Sequence, residues 1–191
     1  MFKKLVVLAI LALPVAAFAS SIDVSNAGGT LAGTSSLSLT GSTLIKYGAI
    51  VGSNLGSVTF TTGTFTSGNA QMGGTLGAGG SFQIVGNGTN GVPNSVIFSG
   101  SFSSATWSLV TLSNGTHSYT LTAALVGANG TVGATTQLLF NTGTAFFSGS
   151  AALASGDTNL SAAVPEPGTL SLLGSGLIGV AGILRKRKSK T

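Results

Sequence analysis

The sequence predicts an all-β body: a β-sandwich of about ten short strands, with a β-solenoid as the alternative. Three observations predict it. Between Ser20 and Val164, short runs alternate apolar with polar residues, the period of a half-buried strand. Asn-Gly dipeptides at 87–88, 90–91, 114–115 and 129–130 punctuate those runs, and both residues tolerate the positive φ of tight turns. No amphipathic helical spacing of useful length appears between the termini.

The first element in the chain stands outside that body. In MFKKLVVLAILALPVAAFAS, Lys3 and Lys4 supply positive charge and Leu5 to Leu13 form a nine-residue apolar run. Pro14 then breaks the helix, and Ala17 and Ala19 flank Phe18 in a small-x-small cleavage site. This is the pattern of a secretory signal peptide over residues 1–19, read by the secretion translocon and cut by signal peptidase. Nine apolar residues are too few to cross a hydrocarbon core of about 30 Å.

The body, residues 20–163, is rich in small and hydroxyl side chains. Ser20 to Val164 holds 25 Gly, 23 Ser and 22 Thr among 145 residues. A flexible linker has such a composition, but a linker has no need of alternating apolar runs. SVTFTTGTF (57–65), SFQIVG (81–86), SVIFSGSF (95–102), TWSLVTL (106–112), SYTLTAAL (118–125) and TQLLFNTG (136–143) read as strands, because Thr, Val, Phe and Ile suit a pleated, half-buried surface. The clearest hairpin turns at Asn114-Gly115. A two-residue loop there predicts the pairs Leu112–His117, Val110–Tyr119 and Ser108–Leu121, with Trp107 opposite Thr122 on the other face.

The last 28 residues, 164–191, form a third segment. Pro165-Glu166-Pro167 stays extended, since each proline fixes φ and removes a donor. Residues 168–184 are 17 uncharged residues, about 25 Å as a helix and just long enough for a single transmembrane helix. Arg185, Lys186, Arg187 and Lys188 follow at once, in the basic tail 185–191. Such a cluster acts as a stop-transfer signal and stays on the cytoplasmic side. The body then lies outside, in agreement with the signal peptide.

This arrangement of PEP, apolar run and basic cluster at the C-terminus resembles the PEP-CTERM sorting signal. The resemblance implies that Pro165, Glu166 and Pro167 are the recognition element for an exosortase-type membrane enzyme. It implies a protein exported across the inner membrane, transiently membrane-anchored there, and then found at the cell surface or outside. The host it implies often makes exopolysaccharide, the matrix of a biofilm, and the body also looks like the Gly/Ser/Thr-rich ectodomains that often precede this signal.

The charge distribution narrows the function further. The whole chain carries +5, but its body holds only Asp23, Lys46 and Asp157. One cation is too few for a nucleic-acid face, where phosphate neutralisation supplies most of the affinity. There is no cysteine, which excludes disulfides, thiolate metal sites and cysteine nucleophiles. His117 is the only histidine. A Ser–His–Asp site would need it beside Asp23 or Asp157, and no G-x-S-x-G is present. No cluster has metal-ligand spacing and no glycine-rich segment has the lysine of a phosphate loop. The expectation is a non-enzymatic surface or matrix protein with no metal and no cofactor. The alternative is a small carbohydrate-binding module or hydrolase, and it requires His117 or Trp107 at an exposed cleft.

Overall fold

The computed structural model describes residues 21–128 and 132–162, nearly all of them in antiparallel strands. The strands are β1 Ser21–Ala27, β2 Thr30–Ala32, β3 Ser38–Tyr47, β4 Ile50–Thr62, β5 Phe65–Asn69, β6 Gly73–Leu76, β7 Gly79–Gly86, β8 Val96–Thr111, β9 His117–Gly127, β10 Val132–Gly143 and β11 Ser150–Ala162. A short 3-10 turn, Thr89–Gly91, lies between β7 and β8. The all-β expectation holds, but the sandwich and solenoid expectations do not.

The sheet closes on itself. Its order runs β8-β7-β4-β3-β1-β11-β10-β9, and β9 pairs back to β8. This is an eight-stranded barrel in which each strand neighbours the next in the chain. Three of its staves are bent. β2 continues β1, pairing with the same neighbours β3 and β11. The bend falls at Gly28-Gly29, both with positive φ, where a Cβ on Gly29 would run into the backbone of Thr40 and Ser42. β5 and β6 likewise extend β4 and β7, and β6 pairs with the second half of β8. A sandwich would put the first and last strands at sheet edges. Here β1 pairs with β11 over Ser21–Asn26 and Gly156–Ser161, leaving no edge at that seam.

The predicted hairpin exists with its register shifted by one. Thr111 pairs with His117, Val110 with Ser118, Leu109 with Tyr119 and Trp107 with Leu121. Leu112 N–H donates to Thr116 O at 2.8 Å, so three residues, Ser113-Asn114-Gly115, make the turn. Gly115 sits at φ 80°, the left-handed position that ends a three-residue hairpin loop. A slip of one residue moves every side chain to the other face. Leu109 and Trp107 therefore join Tyr119 and Leu121 inside, and Val110 points out at 53% exposure. The runs predicted at 95–102 and 106–112 are also one strand, β8, of 16 residues.

Inward positions carry the core. Val24, Leu31, Leu39, Leu44, Val58, Phe60, Phe82, Ile84, Phe98, Phe102, Trp107, Tyr119, Leu121, Leu138 and Phe140 are all buried. Outward positions are Ser, Thr, Asn and Gln along most strands. That is the reverse of the apolar outer band of a membrane-spanning barrel. Both described chain ends, Ser21 and Ala162, lie on one rim, with the β3–β4 turn and the β7–β8 connection. The opposite rim carries the β5–β6 tip, the β8–β9 turn and the β10–β11 loop.

Candidate functional site

At the rim opposite the chain ends, the barrel is closed by aromatic side chains. Trp107 from β8 is 1% exposed. Its ring stacks on Tyr119 with centroids 5.0 Å apart and meets Phe140 and Phe147 at 5.7 Å each. Its indole N–H donates to Ala70 O at 2.7 Å. Tyr119 Oη donates to Gln71 O at 2.6 Å and accepts from Phe147 N–H at 3.0 Å. Two interior side chains thus fasten the β5–β6 tip and the β10–β11 loop over the barrel end. An open depression of about 320 Å³ remains above them, lined by Thr34, Asn69, Ala70, Gln71, Phe147, Ser148 and Gly149. Trp107 is therefore a core residue and offers no face to a sugar ring.

His117 opens β9 at the same rim and is 7% exposed. Its Nδ1 lies 3.0 Å from Thr111 Oγ1, and its ring stacks on Phe146 at 4.1 Å. Neither aspartate bonds it. Asp23 pairs with Lys46, and Asp157 accepts a hydrogen bond from Ser25. Among the described residues no three His, Asp or Glu side chains gather to hold a metal ion.

The three charges instead share one outer wall, formed by β11, β1 and β3. Lys46 Nζ lies 2.7 Å from Asp23 Oδ2, and Ser25 Oγ donates to Asp157 Oδ1 at 2.6 Å. Ser25 is the register partner of both Asp157 and Lys46. The hydrogen bond to Asp23, then its charge, hold the Lys46 ammonium above the usual lysine value, and Asp157 adds to the shift. This wall belongs to a longer band. Cross-strand register links Ser67, Thr75, Thr106, Thr122, Gln137, Asp157, Ser25 and Lys46 in one outward polar row. Beside it lies a depression of about 180 Å³ lined by Thr120, Gln137, Leu139, Ser155 and Asp157. Such a row presents donors and acceptors roughly every 4.8 Å across the strands. It can hydrogen-bond a hydroxylated surface.

Sequence reasoning placed His117, Trp107, Asp23 and Asp157 singly and missed this row. Only cross-strand register assembles it, and the sequence alone left that register open. Ala17, Ala19, Pro165, Glu166, Pro167, Arg185, Lys186, Arg187 and Lys188 lie outside the described residues, as does the apolar run 168–184. Among the described residues no helix is long and apolar enough to cross a membrane.

Residues 163–188 match the family model described as PEP-CTERM protein-sorting motif. No curated protein and no solved structure matches the chain.

Proposed function

We propose that this chain is a structural, non-enzymatic component of the cell surface or its exopolysaccharide matrix. It carries a PEP-CTERM sorting motif at 163–188, the mark of an exported protein that an exosortase, a membrane enzyme, sorts. Signal peptidase would act after Ala19, and Pro165-Glu166-Pro167 would be the exosortase's recognition element. Arg185 to Lys188 would hold the tail on the cytoplasmic side until processing.

The observation that carries the structural reading is the outer wall. Most apolar side chains are spent on the interior, and a surface mainly of hydroxyl and amide groups faces outward, with Asp23, Lys46 and Asp157 its only carboxylates and ammonium among the described residues. A matrix of neutral polymer offers matching hydroxyl donors and acceptors, and hydrogen bonds spread over such a wall need no deep pocket. The alternative of a small carbohydrate-binding module or hydrolase needs His117 or Trp107 at an exposed cleft, and both side chains are buried.

The test has two parts. The chain is expressed in its host, and the C-terminal mass of the exported form is measured beside that of a Glu166→Ala, Arg185→Ala variant. The expected result is a native form lacking the residues beyond the PEP segment and a variant retained whole in the inner membrane. Two forms that both keep the tail would contradict processing. The exported form is then mixed with the host's extracted matrix polysaccharide. Co-sedimentation that weakens at least threefold in a Thr106→Glu, Thr122→Glu variant supports the structural role, and no co-sedimentation contradicts it.

A further inference from the structure

We propose that the rim bearing the chain ends is a lipid-contacting face that seats on the bilayer while the tail is attached. The inference rests on the reading of the tail as an anchor and adds a surface to it. Its first ground is chain length. From Ala162, the last residue of β11, to Gly168, where the apolar run begins, there are six residue steps. Fully extended, six steps reach about 20 Å. The interfacial layer of the bilayer takes up roughly 6 Å of that. That leaves about 14 Å at most between this rim and the headgroups, close enough for the two to touch.

The second ground is what the rim displays. Val51 is 71% exposed, Val96 51% and Val126 47%. They lie at the start of β4, the start of β8 and the end of β9, which all fall at this rim. Exposed Ala49 and Pro93 and half-buried Tyr47, Ile50 and Ile97 sit among them. A tyrosine and apolar side chains with a nearby cation are the composition of a membrane–water interface. The cation is Lys46, the register partner of Val51, paired with Asp23 and the only lysine or arginine among those described. The opposite rim also exposes apolar groups, Met72, Leu112 and Phe146. Among the described residues it has no lysine or arginine and no connection to the tail, so it serves as the control.

The chain contains no cysteine, so a single introduced cysteine carries a fluorophore at one known place. Full-length chains with Val51→Cys, Val96→Cys, Val126→Cys, Met72→Cys or Leu112→Cys are labelled and reconstituted in phosphatidylethanolamine/phosphatidylglycerol vesicles containing a headgroup-level quencher lipid. The expected result is quenching at 51, 96 and 126 at least threefold stronger than at 72 and 112. In a chain labelled at Ala49→Cys, the V51S, V96S, V126S triple change is expected to reduce quenching at least twofold, with unchanged far-ultraviolet circular dichroism. Vesicle flotation with equal quenching at both rims, or stronger quenching at 72 and 112, overturns the lipid face and leaves the anchor standing. Failure of the full chain to float with vesicles overturns the anchor and the lipid face together.

Discussion

The barrel has two unlike walls. Five neighbouring strands, β4, β7, β8, β9 and β10, send Phe60, Phe82, Phe98, Phe102, Trp107, Tyr119 and Phe140 into the interior. The wall of β11, β1 and β3 faces them with Val24, Leu39, Leu44 and Leu160, the glycine Gly156, and a set of buried polar groups. There, Asn26 Nδ2 donates to Ser42 Oγ at 2.7 Å, and Thr136 at the edge of the aromatic wall bonds Thr158 at 2.9 Å. Asn26 Oδ1 is buried with no hydrogen-bond partner among the described residues. The difference is one of volume. An eight-stranded barrel is just wide enough to be filled by side chains. When one wall supplies seven aromatic rings, the other must supply small ones. The small wall is the closing seam, and its backbone pairing matters more than its side-chain bulk.

Trp107→Ala attacks the aromatic wall where it is thickest. It opens a large cavity and leaves Ala70 O without its donor, and is expected to cost about 3–5 kcal/mol of stability in denaturant unfolding. A loss below about 1 kcal/mol would mean the rings are not packed as described. Gly156→Val tests the seam by the opposite route. A Cβ there would meet Asn26 Oδ1 and Leu138 Cδ2 at sub-contact distance, so the change overfills the small wall and should cost about 1–3 kcal/mol. Tyr119→Phe keeps the ring and removes only the hydroxyl that bonds Gln71 O and Phe147 N–H. The expected loss is about 1–2 kcal/mol. It should come with faster amide exchange at Phe147 and no change at Asn26, because only the aromatic rim loosens.

The smallest effect belongs to the charged outer face of the seam. Lys46 and Asp23 side chains are 38% and 47% exposed, so solvent screens the pair. Lys46→Met should barely move the melting temperature at neutral pH. Because the Lys46 value is raised, the pair's contribution is complete below the ordinary lysine pKa and fades only as pH rises through the raised one. Wild type and variant should therefore converge in strongly alkaline solution. Divergence there would contradict the assignment.

The same asymmetry decides what the sequence reveals. β7, β9 and β10 were legible because Phe82 with Ile84, Tyr119 with Leu121, and Leu138 with Phe140 alternate with polar residues. β1, β3 and β11 were passed over. In β11 the inward positions after the bulge are Gly156, Thr158 and Leu160, and two of those three look like surface. Without the seam strands no sequence argument could close the sheet, and a sandwich was the natural reading. The one-residue register error had a local cause. Asn-Gly signals a two-residue turn, and here Gly115 serves as the third residue of a longer one. The sorting motif was legible because it is written in contiguous residues. The polar row was not, because its members come from eight strands.

The most direct test of this account is the seam itself. Nuclear magnetic resonance on the exported form would look for cross-strand contacts between Ile22–Asn26 and Gly156–Leu160. The barrel predicts them in the register Val24 with Thr158 and Asn26 with Gly156. Their absence, with β1 or β11 left as a free edge, would contradict the closed barrel and return the fold to an open sandwich.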